Sequence, residues 1–322
     1  MKKLTKTMTI VASSMIVIGI LLAVIGYSAG ARLSITNAEG SFKVAEPEDR
    51  EMETTSLSSF SNIDINLFDA DIEMIPSNEY KVQIERNKGQ KIIHEIKNDT
   101  LFIEEKEKKQ PKFFNFNINL GLTHSTQTVI KIYFPSGESL SEVNFVNHFG
   151  DIRLDDMITE KLTIRVSDGD VAINNVQANE LKIVNQFGDI LGENVQTKEL
   201  NVESNDGEAM FNKVNADFVN LKNSFGDTAF QNVTSKGMNI ESNDGVIDIQ
   251  GLLLGNSIIH SNFGDVNIQL QNKESEIGYK ISNDFGDIIV NNNEFETQAV
   301  YNLESTNKLE IKSKDGDVNI SF

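Results

Sequence analysis

The most regularly spaced carboxylates in this chain follow glycines. Asp151 follows Gly150, Asp170 follows Gly169, Asp189 follows Gly188 and Asp227 follows Gly226. Asp265, Asp287 and Asp317 follow Gly264, Gly286 and Gly316 in the same way, while Gly207 and Gly245 are followed by Glu208 and Val246. A column of acids on turns has one obvious chemistry, a ladder of oxygen ligands for calcium. The Gly-rich nonapeptide of calcium β-rolls is absent, however. The alternative needs no ion: Gly supplies a positive φ and Asp hydrogen-bonds the backbone of the bend. We read the column as structural, with no metal and no cofactor.

Other chemistry is thinly represented. His94, His124, His148 and His260 have no metal-ligand spacing. Cysteine is absent, which excludes a disulfide framework, a thiolate zinc site, a cysteine nucleophile and a lipoprotein anchor. No nucleophile elbow, phosphate loop or His-Glu-x-x-His pattern occurs, and no Arg follows Arg165. Lys106, Lys108, Lys109 and Lys112 precede Phe113, Phe114 and Phe116, a basic–aromatic stretch read as a solvated hairpin tip. The chain holds 29 Lys+Arg against 48 Asp+Glu. Lys2, Lys3 and Lys6 are the only charges in the first 31 residues, so 32–322 carries 26 positive and 48 negative charges, or −22. Such a surface repels nucleic-acid phosphates, so no nucleic-acid partner is expected.

The elements that place the glycines are repeats. Seven of them, Gly150 to Gly264, stand 19 residues apart; Gly286 and Gly316 continue the series at spacings of 22 and 30, read as lengthened loops. Within each repeat the apolar residues alternate: Ile152/Leu154 and Val171/Ile173 at two and four after Gly, Leu181/Ile183 and Leu200/Val202 at twelve and fourteen. Val176, Val195, Val214 and Val233 hold the seventh place. Alternation of period two predicts strands with one buried face. Each repeat therefore offers two short strands, a Gly-Asp bend and an Asn-rich bend. One repeat buries four or five aliphatic side chains at roughly 1.5–3 kcal/mol each, too little to order 19 residues at about 1–2 kcal/mol apiece. Stacked rungs sharing one core solve this. The expected fold is all-β, a single-stranded right-handed β-helix with rungs of about 19 residues. The residue before each Gly alternates between Phe (149, 187, 225, 263) and Asp (168, 206, 244). An aromatic binding stripe and rings that cover the rung edges both fit this pattern.

Residues 7–31 contain no charge. As a helix they reach roughly 37 Å, enough to cross a hydrocarbon core of about 30 Å. Lysines precede this stretch and acids follow it, so 1–6 is expected as a cytoplasmic stub, 7–31 as one transmembrane helix, and 32–322 outside the cell. Cleavage after Ala31, in the small-x-small site Ala29-Gly30-Ala31, is the alternative. Residues 32–57 lack a strong period and read as a polar linker, 58–135 as irregular β rungs or a cap, and 136–322 as the regular solenoid.

The Phe-Gly-Asp and Asp-Gly-Asp bends, with Ile132-Tyr133-Phe134-Pro135 before the regular array, carry a resemblance. Over roughly 58–322 the chain resembles the bacterial "putative adhesin" family of β-strand-repeat proteins, and most of all its membrane-anchored LiaG-type members. The resemblance implies a right-handed β-helix near cell-envelope stress systems, and it brings no catalytic residues. The expected function is a non-enzymatic, adhesin-like or stress-associated binding module on the cell membrane, with an envelope polymer or a membrane protein as partner. A carbohydrate-active β-helix enzyme is the alternative reading.

Overall fold

The computed structural model describes residues 50–106 and 127–322 in full, with the strands Ser34–Ala38, Ser41–Val44 and Asn117–Asn119 and the isolated residues Met15 and Gly19. The expected anchor 7–31, those two residues apart, lies outside the described residues, as do His124 and the basic–aromatic stretch beyond Lys106. Among the described residues no helix is long and apolar enough to cross a membrane. The chain divides into two units, 1–49 with 108–126, and 50–107 with 127–322. In the first, Ser34–Ala38 pairs antiparallel with both Ser41–Val44 and Asn117–Asn119.

The second unit is all-β. Six consecutive strands of 17 residues, Ile152–Asp168, Val171–Phe187, Ile190–Asp206, Ala209–Phe225, Thr228–Asp244 and Ile247–Phe263, stack in parallel. Their register offset is 19 residues: Val176 faces Val195, and Val195 faces Val214. The expected inward columns are buried, including Met157, Val176, Val195, Val214 and Val233 in the seventh place. The two short strands expected per repeat are one strand, bent at residues that keep their ladder bonds on either side. One corner lies six residues after Gly, where Asn175, Asn194 and Asn232 take φ of 52–55°. Asn tolerates this left-handed region better than most residues.

The glycine corner is constrained twice. Gly207 has φ 137°, and a Cβ there would lie 2.1 Å from the carbonyl oxygen of Gly188 in the rung below. The same clash recurs up the column, so each Gly makes room for its neighbour's carbonyl as well as turning the chain.

Both ends depart from sequence order. Gly286 and Gly316 do not simply extend the series. Asn307–Asp315 pairs with Ile247–Phe263 on one side and Ile277–Phe285 on the other, so the last rung in sequence is inserted before the preceding one. Beyond it, Gln298–Tyr301 and Asn293–Phe295 run antiparallel and cover the outer strands. The other end mirrors this. Asn62–Ser77 lies between Ser139–Phe149 and the pair Thr100–Glu105 and Thr128–Pro135, which Ile92–Lys97 and Lys81–Asn87 cover antiparallel. A bare parallel edge would present unpaired N–H and C=O groups, and antiparallel strands close it.

Arg50–Ser56, expected within a polar linker, is a strand on Lys81–Asn87. Pairing with an open edge needs only an extended backbone, which leaves little hydrophobic period to read. Ion pairs fix its register: Arg86 meets Glu51 at 3.0 Å and Glu53 at 2.8 Å, and Arg50 meets Glu85 at 2.8 Å.

Candidate functional site

The Gly-Asp bends gather into one edge of the stack. Here the acid column is structural. Asp151 Oδ1 accepts the N–H of Asp170 at 2.9 Å, Asp170 Oδ1 that of Asp189 at 2.9 Å, and Asp189 Oδ1 that of Glu208 at 2.9 Å. The ladder continues through the inserted rung, where Asp265 accepts from Asp317 and Asp317 from Asp287. Asp227 accepts from Val246 at 2.8 Å. One oxygen of each of these acids is thus committed to the next rung's backbone. At the first ladder step, burial outweighs the hydrogen bond from Asp151 N–H and holds the Asp71 carboxyl above its ordinary range, with Asp151 and Glu73 adding repulsion. Among the described residues no group of three or more His, Asp or Glu side chains is placed to hold a metal ion.

The Phe/Asp alternation is accompanied by a second alternation at the buried position two residues earlier. Rungs that end in Phe carry Asn there: Asn147, Asn185, Asn223 and Asn283, with Ser261 the exception. Rungs that end in Asp carry Val166, Ser204, Ser242 or Ser313. An amide has two N–H donors, and Asn147, Asn185 and Asn223 use them across two rungs, while Asn283 donates to the Gly316 carbonyl. Asn185 Nδ2 donates to the carbonyls of Gly169 at 3.0 Å and Gly188 at 2.9 Å. Asn223 does the same for Gly207 at 3.2 Å and Gly226 at 2.9 Å. One Asn therefore serves two bends, and the rung between needs only a small side chain.

The Asp-type rungs carry their own clamp at another corner. Thr197 Oγ1 donates towards the carbonyls of Asn179 and Glu199, where the Phe-type rungs have Ala178 and Ala216. The chemical repeat is thus two rungs, 38 residues.

On the outside of this edge the alternation is unbroken in space. Asp69 faces Phe149, then Asp168, Phe187, Asp206, Phe225, Asp244 and Phe263 follow. Phe263 then faces Asp315, and Asp315 faces Phe285. The insertion of the last rung keeps two Phe rungs from meeting. Rungs about 4.8 Å apart place like residues about 9.6 Å apart. At that distance the carboxylates are separated by more than a physiological Debye length of about 8 Å. The acids in turn interrupt what would be a continuous apolar edge. The rings remain exposed: Phe187 and Phe225 are each 49% accessible and Phe285 72%. They do not cover the core, which the bends have already closed.

A second surface lies beside this edge, three to five residues after each Gly. An open groove of about 500 Å³ has Ala172, Leu191, Met210 and Ala229 along its floor. Its rim acids, Asp155 and Glu193, belong to one column two rungs apart, so they point the same way instead of facing across a cleft. Asp155 meets Arg153 at 3.4 Å and Glu193 meets Lys213 at 3.3 Å. Under the floor, Gly192 leaves space that the Phe211 ring fills, stacked on Phe230 with centroids 5.2 Å apart.

The repeat glycines singled out in the sequence take positive φ, but the Asn clamps behind them went unread, as did the corner residues Asp156 and Lys213. The signal was present as Asn-x-Phe-Gly against Ser-x-Asp-Gly, visible once rungs are compared in pairs.

Solved structures similar to this chain are distant from it in sequence. One is called a "putative adhesin" from Bacteroides fragilis, 15% identical, covering 85% of this chain and 96% of that one, with a TM-score of 0.41. Another, called a "putative lipid binding protein" from Parabacteroides distasonis, is 11% identical and covers 84% and 96%, with a TM-score of 0.35. No curated protein matches the chain. The family model named Toastrack DUF4097 matches residues 60–321, which span the rungs and caps of the second unit, and the chain belongs to that family.

Proposed function

We propose that this protein is a single-pass, membrane-anchored module of the cell envelope that binds a partner along the Phe/Asp edge and performs no chemistry of its own. The observation that carries this reading is the row of exposed rings at every second rung. Singly exposed apolar side chains are ordinary on a protein surface, but aromatic rings repeated in register along one edge offer a partner of matching period a row of equivalent contacts. The reading puts residues 32–322 outside the cell, because lysines precede residue 7 and acids follow residue 31. It takes the coil as right-handed, the hand that parallel crossovers adopt almost without exception. An envelope polymer or a membrane protein is the partner expected there, and the LiaG-type resemblance points to a role in envelope stress.

Two measurements test this. Protease added to intact cells is expected to digest residues 32–322, and full protection refutes the topology. The purified full chain is expected to sediment with envelope preparations. A variant with Phe187, Phe225 and Phe263 all changed to Ser should melt normally yet stay in solution. Equal sedimentation of this variant refutes the role of the edge.

A further inference from the structure

We infer that the Phe/Asp edge takes a β-1,4-linked glycan bearing free amino groups, laid along the stack. The inference rests on the proposed reading of this edge as a contact surface and names its ligand class.

Three properties of the edge select this chemistry. The first is period. Ring repeats ring, and acid repeats acid, every two rungs, about 9.6 Å. An extended β-1,4 chain turns alternate faces at successive sugars, and each pyranose advances it by close to one rung spacing. Every second sugar thus presents the same face to each successive ring. A β-strand ligand repeats its facing side chains at about 6.6 Å and falls out of step within two repeats.

The second is surface chemistry. A pyranose face carries axial C–H groups that pack on an exposed aromatic ring, and Phe offers the ring without a competing polar group. The third is charge. Asp168, Asp206, Asp244 and Asp315 stand between the rings, and among the described residues no hydrogen bond or ion pair engages their carboxylates. Beside them run the acids of the ladder, each with one oxygen to spare. Ammonium groups on the intervening sugars would meet these carboxylates, while polyanionic glycans and lipid headgroups are repelled.

The test uses the full chain in mild detergent and chitosan oligomers from tetramer to octamer, with fully N-acetylated oligomers as the neutral series and heparin as the polyanion. Each added pair of sugars is expected to tighten chitosan binding about fivefold, the value of one more ring contact, and odd additions should add little. Binding should weaken as salt rises, and the N-acetylated series should bind more weakly at low salt. Changing Phe187 and Phe225 together to Leu keeps apolar bulk but removes two rings, and should lower affinity about tenfold or more. Asp206→Asn should reduce both the affinity and its salt dependence. Leu191→Asn, in the neighbouring groove, should change neither.

Affinity that rises smoothly with charge, without steps of two, would show simple ion exchange and overturn the inference. So would binding unaffected by loss of the two rings, or heparin binding as well as chitosan. If chitosan fails while ring-dependent sedimentation with envelopes persists, the glycan assignment falls and the proposed function stands.

Discussion

Asn185 provides the sharpest test of how the rungs hold together. Asn185→Ala removes both donors from the carbonyls of Gly169 and Gly188. Each of these part-buried carbonyls left without a partner costs at most about 1–3 kcal/mol. Asn185 Oδ1 is itself buried without a partner, so its removal returns about 1–3 kcal/mol. The small cavity left by the amide adds about 1 kcal/mol. The expected net loss is about 2–4 kcal/mol. In the next rung, Ser204 Oγ is also buried and unpartnered. Ser204→Ala therefore removes a cost and no bond, and should leave stability within about 0.5 kcal/mol or raise it. Urea titrations followed by far-ultraviolet circular dichroism compare the two, with an unchanged slope required for the comparison. A loss below about 0.5 kcal/mol for Asn185→Ala, or an equal loss for Ser204→Ala, would refute the two-rung clamp.

Val195→Asp should cost several kcal/mol, because Val195 is 1% exposed and a carboxylate there has no partner, whereas Gln196→Asp on the outer face should change stability by less than about 0.5 kcal/mol; equal urea midpoints would show the register to be wrong. Millimolar calcium or a chelator should leave the melting temperature unchanged, since the ladder acids already accept backbone N–H groups; a large rise with calcium would contradict this. Asp71 holds its proton more tightly folded than unfolded, so the folded state binds more protons in the window between the ordinary carboxylate range and the raised value. Its contribution to stability therefore grows as pH falls through that window. Asp71→Asn should flatten this part of the stability–pH curve, and an unaltered curve measured by urea titration would count against it.

The sequence by itself determined the rung and its inside. Nineteen-residue spacing and period-two alternation are properties of one strand, and burial of Val195 or Leu200 follows from them without knowledge of any neighbour. The glycine positions were equally legible, because a tight bend restricts φ locally. The alternation of Phe and Asp was visible too, yet the Asn clamps that accompany it were not. Asn185 answers a carbonyl in the rung below, and that pairing exists only after rungs stack.

The order of the last rungs belongs to the same class. In sequence Phe263 is followed by Phe285 and then Asp315, which breaks the alternation; in space Asp315 sits between them and restores it. The antiparallel covers at both ends left still less trace. Which segment closes an open strand edge depends on which edge would otherwise be bare, and any extended backbone of suitable length can close it. Hydrophobic period is written residue by residue along the chain, whereas clamps, rung order and end covers satisfy polar groups of distant residues, so only the tertiary structure decided them.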